Sequence, residues 1–389
     1  MTYDKAIDLL AAAGDELAQI RRGKEYSLWR DSTVRSLDDG LAKTDPFRPY
    51  ANAWLFTGDG GGEVMAGRFG NWAIDRLVAK VPAPEIIAEL KAESNRNTAV
   101  YEEVSPVLGV KIDREYLLSE GVSLLPGEAM LDGLNRFYIS SQRQLTSFAP
   151  RDSCVLYQTL SVQPAFEIRE STTEPARGAS VTTPSSEARD GVRRSVRYAC
   201  LLAGTGAVEI PVATTIANEN LLFAKGRVQS HNLFSAYPLV SFPVDGAVVK
   251  RYFDALAAFN EKDSLHRAID RLGRARLARS PVDQALELGI AAEIALMHAE
   301  TSGNTEITYK IGSRAAWLLG ETATERTEIF GDIKQLYQAR SQAVHSGILS
   351  AKSKVDLQAG DELVARTLAA ILALGRFPEW SSLTMGGDL

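Results

Sequence analysis

Apolar residues along this chain follow two different rhythms, and the change falls near residue 245. From Tyr3 to about Arg22, Ile7, Leu10, Ala11, Leu17 and Ile20 recur at the steps of one helical face, which predicts a helix. Between Pro46 and about Val244, short apolar runs such as NAWLFTG, GVSLLPG, CVLYQTLSV and YACLLAG are punctuated by glycine and proline, the pattern of strands joined by turns. Helical patches interrupt them at residues 83–93 and 127–138. The mixture predicts an α+β domain over residues 1–245. Inside it, residues 171–190 are rich in Ser, Thr and Pro with almost no large apolar side chain, and read as a mobile loop.

Past residue 246 the pattern is helical almost without interruption, at 248–259, 264–277, 281–299, 306–319, 323–346 and 361–374. Pro281 behind Ser280 reads as a first-turn proline following an N-cap. Residues 302–304 and Gly320 supply breaks between helices. Residues 246–389 are therefore expected to form an all-α bundle.

Three ionisable residues sit where this periodicity wants apolar ones. Advancing about 100° per residue places Ile329, Ile333, Leu336, Tyr337 and Val344 on one stripe, with Arg340 inside it. Glu293 lands near the centre of the stripe formed by Val282, Ala285, Leu286, Gly289, Ala292, Leu296 and Met297. Arg314 shares a seam with Ile307, Ile311 and Leu318. Unpaired buried charges cost several kcal/mol, so mutual pairing is expected, with Glu293 accepting from Arg314, Arg340 or both. For Glu293 and Arg314 a supporting role is favoured over a catalytic one.

His345 lies on another row, with Lys334, Gln338 and Ser341, and Ser341 is its neighbour one helical turn earlier. Five residues rotate His345 roughly 140° from Arg340, so the two point apart unless the helix ends between them or a second copy completes the site. An imidazole able to carry a proton and a guanidinium able to clamp a phosphate are together suited to cutting RNA.

Composition narrows the setting. A chain of 389 residues with 45% hydrophobic and 24% charged residues reads as two soluble globular domains. Its net charge of −6 argues against coating nucleic acid by bulk electrostatics, while leaving room for a local basic site. Two cysteines, Cys154 and Cys200, and four dispersed histidines give no metal-ligand spacing, so neither a metal nor another cofactor is expected. His231 and His298 have no nearby sequence partner that suggests chemistry. The N-terminal segment carries Asp4, Asp8, Asp15 and Glu16, unlike a secretory signal, and no apolar run approaches a membrane span; a cytoplasmic location is expected.

The order DQALELGIAAEIAL, TYKIGSRAAWLLG, IFGDIKQLYQARSQAVHSG resembles the ApeA-like branch of the HEPN superfamily, with its ALE-type helix, its R-x-x-x-LL helix and its closing LY-x-x-R-x-x-x-x-H helix. The resemblance covers about residues 250–375. It implies a helical bundle that dimerises and brings two Arg-x4–6-His motifs together. Many such domains are metal-independent ribonucleases of antiphage defence, toxin and RNA-processing systems, and others are inactive binding modules. Carried onto this chain, it places Arg340 and His345 in an endoribonuclease site leaving 2′,3′-cyclic phosphate and 5′-OH ends. Ser341 stands where the family often has Asn, Asp or His, and VHSG stands where the branch commonly reads VHG.

Arg267, Arg271 and Arg274 recur at helical steps as a basic ridge suited to RNA phosphates, with a solvated face paired to Asp263 and Asp270 as the equal alternative. The glycine-rich TGDGGGE (57–63) fits neither dinucleotide nor P-loop spacing and reads as a turn. No G-x-S-x-G elbow is present for serine hydrolase chemistry.

Overall fold

A computed structural model describes residues 3–20, 24–56, 61–64, 68–94, 97–128, 153–169, 183–211, 213–217, 227–229, 239–298, 306–350 and 355–387. The chain opens with α1 (Asp4–Gln19), α2 (Lys24–Leu41) and a 3-10 turn at Arg48–Asn52. There follow β1 (Ala53–Phe56), β2 (Gly61–Glu63), α3 (Arg68–Val78), α4 (Ala83–Ser94), β3 (Ala99–Val107), β4 (Val110–Lys111), β5 (Tyr116–Ser119) and β6 (Val122–Pro126). Next come β7 (Cys154–Val162), β8 (Phe166–Ile168), α5 (Ser186–Ala203), β9 (Ala213–Ala217), β10 (Arg227–Gln229) and β11 (Phe242–Pro243). The remainder is helical: α6 (Gly246–Ala258), α7 (Lys262–Leu277), α8 (Pro281–Leu296), α9 (Ile307–Leu319), α10 (Ala323–Ser346), α11 (Leu357–Leu374) and α12 (Trp380–Thr384). A mixed α/β N-terminal region thus precedes a largely helical C-terminal one.

Local chemistry sets the helix ends. The Ser280 hydroxyl accepts from the Asp283 amide at 3.1 Å ahead of Pro281, which starts α8 where the sequence predicts it. Thr322 and Glu325 form a reciprocal capping box at the start of α10, and Gly347, at φ 68°, stops that helix in the left-handed region. The last predicted helix begins at Leu357, a turn earlier than its apolar pattern, because Asp356 accepts from the amides of Gln358 and Ala359.

Two readings of the N-terminal half need correction. YACLLAG is not a strand: its apolar residues form the end of α5, where Tyr198, Ala199, Cys200, Leu201 and Leu202 are all buried. A short run enclosed on every side carries no period, so helix and strand look alike in sequence. The loop expected at 171–190 is also shorter at its C-terminal end. Ser186–Asp190 are already the first turns of α5, begun by Ser185, whose hydroxyl accepts from the Ala188 amide at 3.1 Å. Residues 170–182 lie outside the described residues, as do most of the patch expected at 127–138 and residues 57–60 and 302–304.

By packing, the chain groups into two compact units, each assembled from separate stretches: Met1–Val104, Gln158–Arg189 and Thr214–Gln229 in the first, and Ser105–Tyr157, Asp190–Ala213 and Ser230–Leu389 in the second. Residue 245, where the sequence changes rhythm, is the N-cap of α6 and lies within the second unit. Strands are arranged as β2-β1-β8, as β10-β9-β3-β7-β6-β5, and as the parallel pair β11-β4.

In the first unit, α1 to α4 bury Leu10, Leu41, Ile74, Ile86 and Leu90 completely. A buried polar cluster lies among its strands: Glu103 accepts from Arg189 Nη1 at 2.6 Å and from Gln158 Nε2 at 3.1 Å. In the second unit one continuous core runs from Leu118, Leu124 and Leu156 of the strands through Val196 and Cys200 of α5 to Leu272, Leu288, Ile311, Leu336 and Leu368 of the helices. Each such side chain contributes about 1.5–3 kcal/mol by leaving water.

A buried charge pair ties three parts of this unit. Arg276 on α7 donates from Nε and Nη2 to Asp361 on α11, at 2.8 Å for the shorter contact with Oδ2. Its Nη1 reaches the carbonyls of Leu201, Gly204 and Gly206 at the end of α5.

Candidate functional site

The site starts from α10, whose capping box and glycine stop define 24 residues of uninterrupted helix. Ile329, Ile333, Leu336 and Tyr337 are buried along it, as the stripe predicts. Val344 is not: it is 51% exposed, because the last turn of α10 runs beyond the elements that pack on it. Residues 344–348 are all exposed.

Arg340 lies where α10 crosses α8. A Cβ built on Gly289 would stand 2.4 Å from Cβ and from Cγ of Arg340, so the arginine stem occupies the space that any other residue at 289 would fill. This close approach delivers the guanidinium to Glu293, one turn further along α8. Nη2 of Arg340 sits 3.1 Å from Glu293 Oε2, with side chains 25% and 34% exposed. Tyr337 donates its phenol to the same Oε2 at 3.1 Å, and the guanidinium lies 5.4 Å from the Tyr337 ring centre. Burial, and then the neighbouring Glu293 carboxylate, push the Tyr337 pKa up to about 12. Arg340 Nε is buried and has no hydrogen-bond partner among the described residues.

The expected pairing of Glu293 with Arg340 is thus present, while Arg314 is used elsewhere. Its Nη1 donates to the Leu296 carbonyl at 2.7 Å and approaches the Met297 sulfur at 3.5 Å. Its guanidinium lies 5.6 Å from the Trp380 ring centre. A buried arginine on the last carbonyls of α8 satisfies acceptors that the helix cannot, and complements its dipole. Arg314 therefore caps a helix and does not join the Glu293 pair.

Arg340 and Glu293 line a cleft of about 670 Å³, together with Arg267, Ile294, Met297 and His298. The histidine in this cleft is His298, not His345. His298 Nε2 pairs with Glu261, and its ring stacks on Phe377 with centroids 3.9 Å apart. His298 has no sequence partner that suggests chemistry because Glu261 and Phe377 are remote in the chain, and Gly289 reads as one more small stripe residue. A glycine facing an arginine stem across two helices leaves no signature in one sequence.

His345 is exposed on the last turn of α10 and makes no hydrogen bond to a described residue. The helix stays regular through Ser346, so nothing bends the imidazole back toward Arg340. Ser341, half-buried, lies one turn before it. Exposed Val344 and Ile348, at 51% and 65%, flank the imidazole.

Arg267, Arg271 and Arg274 all lie on α7, and two of the three are ion-paired. Arg271 Nη1 donates to both Glu287 oxygens, at 3.2 and 3.0 Å, and Arg274 Nε to Asp270 at 3.1 Å. Arg267 is exposed and touches the Ser264 hydroxyl at 3.2 Å. Among the described residues no group of three His, Cys, Asp or Glu side chains is gathered, and no helix is long and apolar enough to cross a membrane. No family model matches the chain, and searches of curated proteins and of solved structures give no match.

Proposed function

We propose that the C-terminal helices form a HEPN-type domain and that the protein is an RNA endonuclease whose active site is completed by a second copy of the chain. The observation that carries this reading is the opposition of two groups on one rigid helix. Arg340 is held at the lip of a cleft by Glu293, while His345 projects from the exposed end of the same helix between two uncovered apolar residues. Within one chain the pair does not converge. A two-fold axis near Val344 and Ile348 would cover those residues and offer His345 of one protomer to the arginine of the other.

In such a site the ribose 2′-OH attacks the adjacent phosphorus, with His345 assisting proton transfer near neutral pH. Arg340 binds the scissile phosphate and stabilises the charge growing on its oxygens. The products are a 2′,3′-cyclic phosphate and a 5′-OH. These steps call for no metal ion, and a role in antiphage defence or as a toxin follows from the family resemblance alone.

A second reading has its own support. The Glu293 carboxylate already neutralises Arg340, as expected of a structural ion pair in a non-catalytic dimerisation or ligand-binding module. Complementation separates the two. Arg340→Ala and Glu293-intact His345→Ala chains are each expected to be inactive on a mixed RNA pool in EDTA. Mixed and re-equilibrated, they should recover about one quarter of wild-type cleavage, because half of the random dimers hold one intact composite site. Dimers that are inert as wild type support the binding module, and activity surviving in His345→Ala removes that residue from the mechanism.

A further inference from the structure

A second hollow, also of about 670 Å³, lies beside the Arg340 cleft and shares Arg267 and Ile294 with it. It is walled by α7, by Ile294 of α8 and by the part of α5 that carries Arg194 and Tyr198. At its base is His266, half-buried, with its ring 5.1 Å from that of Tyr198. The His266 Nε2 is buried and has no hydrogen-bond partner among the described residues.

The cations around this nitrogen are not equally free. Arg271 and Arg274 are taken by Glu287 and Asp270, and Asp270 also accepts from Arg197 at 2.9 Å. Arg194 makes no ion pair or hydrogen bond to a described residue, and Arg267 has its single contact with a neutral hydroxyl. Against these two uncommitted guanidiniums stands one unshared carboxylate, that of Asp263. Burial first, then Arg194 and Lys262, hold the His266 pKa below its ordinary value, with Asp263 opposing them. In a chain of net charge −6, such a local surplus of positive charge around a neutral imidazole is a selective feature.

We propose that this hollow binds a phosphate monoester carried by a nucleotide-sized ligand, with Arg194 and Arg267 gripping the phosphate beside the His266 ring. A phosphate monoester presents three strong acceptor oxygens and close to two negative charges, which matches two uncommitted guanidiniums with several N–H donors each. A carboxylate carries one charge and would leave one of the two guanidiniums without a counter-charge. The volume suits a ligand larger than inorganic phosphate, and Ile294 gives its remainder an apolar wall. The site stands independently of RNA cleavage. The phosphate could belong to a free nucleotide or to the 5′ end of a nucleic acid strand, and the test tells these apart.

Protein labelled with ring-¹³C histidine would be titrated at pH 7 with inorganic phosphate, 5′-AMP, a 5′-phosphorylated tetradeoxynucleotide and its 5′-hydroxyl twin, with sodium chloride at matched ionic strength as control. The His266 resonance is assigned as the one lost in His266→Asn. A saturable shift of that resonance with 5′-AMP, the phosphorylated strand or both is expected, and which of them binds names the source. The 5′-hydroxyl strand should leave it unmoved. Replacing Arg194 and Arg267, both exposed, by alanine should weaken 5′-AMP binding by about tenfold or more without affecting the fold. The proposal is overturned if neither phosphorylated probe moves the His266 signal, if chloride reproduces the shift, or if the shift persists in Arg194→Ala/Arg267→Ala.

Discussion

Truncating Asp361 to alanine tests how the second unit is held together. Arg276 and Asp361 have side chains only 4% and 8% exposed, and two of the arginine's three nitrogens point at this carboxylate. The third nitrogen stays bound to the carbonyls of Leu201, Gly204 and Gly206, so the guanidinium cannot swing out to water without giving up those contacts. Asp361→Ala therefore strands a buried cation, at a cost of about 3–5 kcal/mol. That is a large part of the roughly 5–15 kcal/mol that keeps a domain folded. Replacing both partners, as Arg276→Met/Asp361→Leu, removes the charge along with its partner and should be far milder, within about 1–2 kcal/mol of wild type after the three carbonyls lose their donor. Urea unfolding followed by circular dichroism gives the totals, and amide exchange in α7 and α11 localises the loss to the two helices that the pair joins. If the double variant is as unstable as Asp361→Ala, the cost comes from packing and the stranded-charge argument fails.

Two further predictions concern the α8–α10 crossing. Gly289→Ala gains about 1 kcal/mol of helix propensity but forces a methyl into the Arg340 stem, at about 1–3 kcal/mol, so it should be neutral to destabilising in urea and should lower RNA cleavage. Gly331→Ala, whose added Cβ meets nothing within 4 Å, is the control and should stabilise by about 1 kcal/mol. Tyr337, with its pKa raised to about 12 by burial and by Glu293, adds stability that is complete below pH 10 and is lost as pH rises through 12. Wild type should therefore lose stability between those limits relative to Tyr337→Phe, and alkaline absorbance at 295 nm should show one late-titrating phenol that the variant lacks. Equal numbers of late-titrating phenols in wild type and Tyr337→Phe would contradict this, since Tyr101, also pushed up to about 12 by burial, titrates late in both.

Much of the helical region was legible because its helices carry their own punctuation. α10 begins at Thr322–Glu325 and ends at Gly347, and its sequence-derived bounds coincide with those of the structure. The Glu293–Arg340 pair was also legible, since charges on facing apolar stripes have few other ways to be satisfied. Three features were not. α2 is polar at most positions and shows little period. The end of α5 is apolar on every side and looks like a strand. Arg314 lies on the expected seam, but it donates to a backbone carbonyl, and backbone acceptors are invisible to a reading of side-chain types. His298 entered the Arg340 cleft for the same reason that Val344 left the core: helix crossing and overhang are decided by packing, not by position within one helix.

The discontinuous make-up of the second unit also bears on its birth at the ribosome. β6 ends at Pro126 and belongs to the same core as α7, which ends at Leu277. About 150 residues must be synthesised between them, which takes on the order of 8–30 s at ordinary translation rates. Leu118 and Leu124 are made before that interval and Leu156 early in it, while α7 is complete only at its end and the helices after it are still unwritten. Non-local pairings of this kind are slow to close and leave apolar strands uncovered in the meantime. The nascent chain is thus at its stickiest before the first residue of α8 exists, and yield in expression should respond to translation speed and to holdase chaperones more than to the stability of the finished molecule.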